Sequence, residues 1–257
     1  MNSGTWLIDY GNSALKMKGI GAAGTDAPIV ISRIDFEKNP QDLMMSITMA
    51  EWSAPHAVIA ACARKQDENA LAKFLSTAAP RAKLQLLTAS SGLPFRILYR
   101  DGSPGPDRIA AAFALRKNAD QLPSISVDFG TATNIVVVDA NGDFAGGSIM
   151  PGIALQFASL NTATDGRLPL VSPDEKLTAA IGDSTNAAIL AGVLIGHAGA
   201  VDRLIEEMER ELGATINSVA ITGGGAKLIA KWLRRKVDHR PNLVLEGLKE
   251  FAITLRD

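Results

Sequence analysis

The chain has few of the residues that build covalent, redox and zinc sites. Cysteine occurs once, at Cys62, so no internal disulfide can form, and its apolar neighbours indicate a buried thiol in a reducing compartment. The three histidines, His56, His197 and His239, lack the spacing of zinc ligands. Because no serine occupies a GxSxG elbow and Cys62 has no evident partner, covalent hydrolase chemistry finds no support either.

Net charge and long apolar runs are also scarce. Lys and Arg number 26 against 27 Asp and Glu, which leaves no overall attraction to nucleic acid or to an anionic membrane. Residues 187–201 form the longest apolar-rich segment, and this segment is shorter than a membrane span. The N-terminus has no basic start followed by a sustained apolar core. We therefore expect a soluble, cytoplasmic protein that binds any anionic ligand locally.

The two common nucleotide-binding fingerprints are missing. The sequence contains no GxxxxGK[ST] P-loop, and no GxGxxG follows a predicted strand. It does contain TGGGA, residues 222–226, between the predicted strand SVAIT and a predicted helix. Bare backbone at a helix N-terminus can bind phosphate, which makes Gly223 and Gly224 candidate nucleotide-binding residues. An ordinary strand-to-helix connection is the alternative.

The length of 257 residues is typical of two domains rather than one. Each half is predicted to begin with strands joined by glycine turns, followed by helices interleaved with further strands. The pattern predicts short buried strands in residues 56–63 and 83–89, and helices at about 67–78, 106–122, 152–163 and 184–212. We predict a duplicated α/β protein with domains at residues 1–122 and 123–257.

One short pattern is written twice, as IDYGNSALK in residues 8–16 and as VDFGTATNI in residues 127–135. In each copy an Asp ends an apolar strand and a Gly follows in a tight turn, so a carboxylate and bare backbone N–H groups lie together. Ser13 and Thr131 add hydroxyl groups at matching places, and Lys16 adds a positive charge. One copy alone would be an ordinary hairpin turn. Two copies in a duplicated chain indicate phosphate-binding turns that serve one nucleotide.

A Gly/Pro-rich loop, residues 99–106, leads into a predicted apolar helix. It delivers Asp107 and Arg108 to the first turn of that helix. In a functional reading, Asp107 takes a proton from a substrate hydroxyl and Arg108 binds a carboxylate. The alternative is that Asp107 caps the helix while Arg108 is simply solvated.

Taken in order, several segments resemble the type III pantothenate kinase family, a branch of the acetate and sugar kinase, Hsc70 and actin superfamily. They are DYGNSALK, GPDR, DFGTAT, GGSIMPG, GDSTNAAILAG, TGGGA and PNLVLEGL, and they cover nearly the entire chain. The resemblance implies two ribonuclease H-like domains with ATP in the cleft between them. It further implies phosphoryl transfer to the 4′-hydroxyl of pantothenate, the first committed step toward coenzyme A, by a homodimer that uses Mg²⁺ with potassium or ammonium.

The resemblance also implies roles for individual residues. Asp107 matches the proton acceptor, and Asp128 matches a ligand of the activating monovalent cation. The positions that match pantothenate-binding residues are Tyr99, Gly105, Pro106, Asp107, Arg108 and Thr185. The positions that match ATP-binding residues are Asp9, Tyr10, Gly11, Asn12, Ser13, Ala14, Leu15, Lys16 and Thr131.

The chain departs from the family pattern after GTA, where Asn134 and Val136 replace a threonine and an acidic or similar polar residue. Val136 cannot act as a carboxylate, so a different cation affinity or rate is expected. Pro106 stiffens a loop where a small residue is more common. Three alternatives stay open: a superfamily kinase for another small alcohol or acid, a catalytically silent nucleotide-binding homologue with an accessory or regulatory role, and an α/β protein that binds no nucleotide.

Overall fold

The computed structural model describes residues 4–21 and 25–255. The chain forms two compact units, one of Met1–Lys117 with Asn242–Asp257 and one of Asn118–Pro241. The second unit thus begins at Asn118 rather than at residue 123. The C-terminal segment belongs with the first unit, whereas the sequence prediction placed it in the second domain.

Each unit contains one five-stranded mixed sheet. The strands are β1 (Thr5–Tyr10), β2 (Ala14–Ile20), β3 (Ile29–Ser32), β4 (Ala57–Cys62), β5 (Lys83–Leu86), β6 (Ser124–Phe129), β7 (Ala132–Val138), β8 (Phe144–Pro151), β9 (Ser218–Thr222) and β10 (Asp238–His239). Their order is β3-β2-β1-β4-β5 in the first unit and β10-β9-β6-β7-β8 in the second. In both sheets the first three strands form an antiparallel meander, and the first strand pairs in parallel with the fourth. The predicted duplicated α/β architecture is confirmed.

The helices are α1 (Arg33–Lys38), α2 (Gln41–Met49), α3 (Lys65–Ala78), α4 (Pro106–Arg116), α5 (Ile153–Ala163), α6 (Thr185–Leu212), α7 (Ala226–Ile229) and α8 (Leu243–Thr254). Four of them, α3 to α6, lie where the sequence predicts helices. The helix predicted after the TGGGA segment is only α7 and a 3-10 turn, Ala230–Trp232. Strand β5, predicted as buried, is an edge strand with alternating exposed and half-buried residues.

Helix α6 has the caps that its sequence predicts. Ser184 Oγ accepts a hydrogen bond from the backbone N–H of Ala187 at 3.2 Å, and Gly213 closes the helix with a left-handed φ of 62°. By length and composition α6 could cross a membrane, but 56% of its most apolar stretch is buried. Its apolar side packs into the core of the second unit, so α6 is a core helix.

Helix α8 packs on α4 with unusually close backbones. A side-chain carbon at Gly247 would lie 1.7 Å from the carbonyl oxygen of Ala110, so glycine is required at this crossing. The rings of Phe113 and Phe251 lie 5.5 Å apart between centroids, and Lys117 forms an ion pair with Glu250 at 2.9 Å. This contact joins the end of the chain to the first unit.

Candidate functional site

The first repeated turn connects β1 to β2. Asp9 pairs with Lys16 across this hairpin, and the N–H of Gly11 donates to the carbonyl of Ala14 at 3.0 Å. Asn12 and Ser13 are exposed at the tip. The structure therefore brings the predicted residues Asp9 to Lys16 into one turn with a carboxylate, an ammonium and a hydroxyl group.

Two of the predicted ATP-binding residues contribute only main chain to this turn. The side chains of Tyr10 and Leu15 are fully buried in the core of the first unit. The ring of Tyr10 packs edge-on against Phe36, with 5.4 Å between centroids. These two residues anchor the turn to the sheet, and the exposed tip between them is what a ligand can reach.

The second repeated turn connects β6 to β7 in the second unit. Asp128, the residue before the end of β6, pairs with Asn134 across the hairpin and with Thr222 in β9. The N–H of Gly152 donates to the carbonyl of Thr131 at 3.1 Å. A side-chain carbon at Gly152 would lie 2.3 Å from the carbonyl oxygens of Gly130 and Thr131. The backbone at Gly152 therefore packs against the turn more closely than a residue with a side chain could.

The TGGGA segment meets the same turn. Gly223 has a φ of 87°, and a side-chain carbon there would lie 2.3 Å from Asp128 Oδ1 and 2.6 Å from the carbonyl carbon of Phe129. The N–H of Gly225 donates to the carbonyl of Phe129 at 3.0 Å. The structure therefore brings Asp128, Gly223 and Gly224 together, because β9 and β6 are parallel neighbours that end at the same edge.

A buried polar chain supports the second turn. Thr133 Oγ1 and His197 Nε2 are 3.0 Å apart, and His197 Nδ1 lies 2.6 Å from Gln156 Nε2. Because the Gln156 amide donates to Nδ1, the proton of the neutral ring belongs on Nε2, which donates to Thr133. Burial lowers the pKa of His197 and favours this neutral form. Sequence patterns assign His197 no role, because the three histidines lack the spacing of zinc ligands.

The start of α4 holds the next group of predicted residues. Arg108 Nη1 donates to the hydroxyl of Tyr99 at 2.7 Å, which joins the loop to the helix. Gly105 is the N-cap residue, so Asp107 does not cap this helix and lies within its first turn. A side-chain carbon at Gly105 would lie 2.5 Å from Asp107 Oδ1. Glycine therefore leaves the carboxylate free to fold back over the loop, beside Pro106.

The remaining residue predicted to bind pantothenate is Thr185. Thr185, at the first position of α6, is exposed and lines a groove of about 630 Å³ in the second unit with Gln156 and Ser159.

Burial raises the pKa of the Cys62 thiol to about 12, so Cys62 is an inert core residue, as expected. Within residues 4–21 and 25–255, no group of three or more His, Cys, Asp or Glu side chains is arranged to hold a metal ion.

Comparison with solved structures identifies the fold. A conserved Campylobacter jejuni protein named as a member of the Baf family of transcriptional activators has a TM-score of 0.64 at 19% identity, covering 98% of each chain. Spiroplasma citri MreB5, solved with AMPPNP bound, has a TM-score of 0.52 at 15% identity, covering 100% of this chain and 98% of MreB5. At these identities the likeness establishes the fold alone, which consists of two ribonuclease H-like domains as in actin-like proteins and sugar kinases.

Comparison of sequences is more specific. The profile of the type III pantothenate kinase family matches residues 6–207. A type III pantothenate kinase from Porphyromonas gingivalis (strain ATCC 33277) is 34% identical over 244 residues, which cover 94% of this chain and 95% of the relative. The family match includes the two repeated turns and the start of α4. The chain therefore belongs to the type III pantothenate kinase family.

Proposed function

We propose that this chain transfers the γ-phosphate of ATP to the 4′-hydroxyl of pantothenate and so catalyses the first committed step toward coenzyme A. The observation that carries the proposal is the match to a type III pantothenate kinase over 94% of the chain. The presence of Asp9, Asp107, Arg108 and Thr131 in the sequence supports it further. Phosphoryl transfer requires mainly positioning and charge, together with one base near the nucleophile.

The two repeated turns are proposed to bind the phosphates of the same ATP. In the first unit, the exposed tip at Asn12 and Ser13 offers N–H and hydroxyl donors, while Lys16 supplies positive charge beside Asp9. In the second unit, Thr131 offers a hydroxyl group, and the glycines of the TGGGA segment leave room for a nucleotide to approach the backbone.

Pantothenate is proposed to bind at the start of α4. Asp107 accepts the proton of the 4′-hydroxyl as its oxygen attacks the γ-phosphorus. Arg108 pairs with the carboxylate of pantothenate, and its 2.7 Å hydrogen bond to Tyr99 keeps the guanidinium facing the loop. Thr185 supplies a hydroxyl group to the same substrate. A hydroxyl, an amide and a carboxylate on the substrate match one base, one hydroxyl donor and one arginine.

Mg²⁺ and a monovalent cation are also part of the proposal. Mg²⁺ is usually held by one or two carboxylates together with substrate phosphates, so Asp9 fits this ion without a cluster of protein ligands. Asp128, whose carboxylate lies against Gly223, is the proposed ligand of potassium or ammonium. When bound, such cations neutralise phosphate charge. Val136 is fully buried and supplies no ligand to the monovalent cation.

We place the protein in the cytoplasm as a homodimer, by analogy with similar proteins. Light scattering coupled to size-exclusion chromatography tests the dimer, and a monomer at micromolar concentration would contradict it. The buried thiol of Cys62 agrees with a reducing compartment.

A turnover assay tests the proposed reaction. Purified protein is mixed with ATP, Mg²⁺ and pantothenate, with and without potassium, and ADP release is followed together with the mass of the phosphorylated product. We expect ADP release that depends on pantothenate and increases with potassium. Turnover of acetate, glycerol or a hexose without turnover of pantothenate would show another superfamily kinase. ATP binding without any turnover would show a silent homologue.

A further inference from the structure

A buried ion pair lies beneath the first repeated turn. Arg33, at the start of α1, is only 6% exposed, and Asp67 in α3 is 1% exposed. Arg33 Nη1 donates to Asp67 Oδ1 at 2.7 Å, and Nη2 donates to Oδ2 at 2.9 Å. This is the two-pronged geometry that fixes both the position and the plane of a guanidinium group.

The same guanidinium group holds the main chain of the turn. Arg33 Nε and Nη2 donate to the carbonyl of Gly11 at 3.1 Å and 2.5 Å. The backbone N–H of Arg33 donates to the carbonyl of Ser13 at 2.9 Å. A trans peptide is planar, with its N–H opposite its carbonyl. Holding these two carbonyls toward Arg33 therefore orients the N–H groups of Asn12 and Ala14 away from it.

The surroundings of Arg33 explain why this position requires arginine. Its guanidinium carbon lies 4.5 Å from the centroid of the Tyr10 ring, so the group is enclosed by the sheet, by α3 and by the turn. Only a planar group with five donors can bind both Asp67 oxygens and a carbonyl at once. A lysine ammonium can keep the charge but cannot make the same set of hydrogen bonds.

Arg33 and Asp67 belong to a cluster of charged side chains whose positive and negative charges balance. The cluster can therefore orient the backbone of the turn, but it does not attract phosphate by a net positive charge. Arg64 donates to Asp67 through its backbone N–H at 3.0 Å, and Glu37 accepts from both arginines at 3.1 Å and 3.0 Å. Two arginines thus face two carboxylates, so the cluster adds little net field at the turn. Its contribution is the geometry that it imposes on residues 11–14.

We propose that Arg33, held by Asp67, is a positioning residue for the ATP phosphates. It acts through the Gly11 and Ser13 carbonyls and sets the direction of the backbone N–H groups in the turn. This inference rests on the proposed function, in which the same turn binds ATP. Arg33 itself contacts neither substrate nor reacting atoms and is not a catalytic residue.

The test uses four variants of the full chain. Arg33→Lys keeps the positive charge, and Arg33→Met removes it. Asp67→Asn keeps the arginine but removes the negative charge that binds it. Arg235→Met is the matched control, because Arg235 and Glu209 form a similar two-pronged ion pair at 3.1 Å and 3.2 Å in the second unit. Thermal melting is measured for each variant. KM for ATP, KM for pantothenate and the affinity for a non-hydrolysable ATP analogue are measured as well.

We expect Arg33→Lys to melt as a folded protein, to raise KM for ATP about tenfold or more, and to change KM for pantothenate little. Analogue affinity should fall by a similar factor, more in Arg33→Met and less in Asp67→Asn. The Arg235→Met control should keep wild-type affinity for the analogue. If Arg33→Met does not fold, Arg33→Lys and Asp67→Asn still decide the matter.

Some results would contradict only the role of Arg33, whereas another would contradict the proposed function as well. Folded Arg33→Lys and Asp67→Asn proteins with wild-type analogue affinity would overturn the inference alone. So would a loss that affects both substrates equally and appears also in Arg235→Met, because that pattern indicates general destabilisation. A wild-type protein that binds no ATP analogue would overturn the proposed function, and this inference with it.

Discussion

The two units form the same five-stranded sheet but support the turn between its first two strands with different chemistry. In the first unit a buried ion pair, Arg33 with Asp67, binds the turn through side-chain donors. In the second unit Gly152 and Gly223 bring other backbone segments against the turn, and the neutral His197 lies behind it. The shared topology thus fixes where each turn lies in its sheet, whereas different residues support the turn in each half.

This difference teaches that the halves should respond differently to mutation and pH. Arginine keeps its charge at all ordinary pH values, so its hydrogen bonds persist there. A buried histidine is stable only while neutral. Backbone packed against glycine has no room for even one added carbon. The first turn should be sensitive to the chemistry of the side chains that hold it, and the second turn to added volume and to acid.

The largest expected effect is in the first unit, at Asp107. Asp107→Asn should lower kcat by about 10²–10⁴-fold, because the variant cannot accept the hydroxyl proton. Affinity for a non-hydrolysable ATP analogue should not change. Steady-state kinetics and calorimetry measure the two quantities. Asp101→Asn, at an exposed position in the loop before α4, is the control, and unchanged turnover in Asp107→Asn would remove the role of Asp107 as the base.

A smaller effect is expected when one carbon is added at a glycine of each turn region, and the loss of stability should differ between the two. Gly152→Ala should lower the free energy of unfolding by about 1–3 kcal/mol, because the added carbon overlaps two carbonyl oxygens. Gly11→Ala should change it by less than about 1 kcal/mol, since an added carbon there would lie 3.4 Å from the nearest atom. Urea denaturation measures both values. Equal losses would show that the two turns are packed alike.

The next effect concerns pH in the second unit. Burial lowers the pKa of His197, so below about 6.5 the unfolded chain binds more protons than the folded one. The free energy of unfolding should therefore decrease as pH falls through this range, by at most about 1.4 kcal/mol per pH unit. His197→Gln should lose this dependence, and the exposed control His239→Gln should keep it. An identical pH profile in wild type and His197→Gln would contradict the prediction.

The smallest effect is expected at Asp128. Asp128→Ala should raise the potassium concentration required for half-maximal turnover several-fold, because a carboxylate ligand is lost. Thr131 and the rest of the turn remain. Activity is titrated with potassium at saturating ATP and pantothenate. A potassium titration that matches wild type would show that Asp128 is no cation ligand.

Local patterns predicted much of this molecule. Both hairpins, the capped helix α6 and the glycine segment before α7 follow from turn and cap residues that act over a few positions. The functional candidates at the start of α4 follow in the same way. Within each unit, the structure then brings together residues that the repeated pattern had marked.

Contacts between distant positions could not be predicted. Arg33 and Asp67 are 34 residues apart, and Thr133 and His197 are 64 apart, so no local pattern connects them. The C-terminal helix joins the first unit because Gly247 meets Ala110, a contact that a linear domain boundary cannot represent. Strand β5 has the composition of a buried strand, but only the order of the sheet shows that it lies at an edge.

The central claim is that both repeated turns bind one ATP, and hydrogen–deuterium exchange tests it most directly. Exchange is followed in peptides covering residues 9–16 and 128–135 while the concentration of a non-hydrolysable ATP analogue is increased. The account predicts protection of both segments with the same half-saturating concentration. Protection of only one segment, or protection of the two at clearly different concentrations, would contradict it.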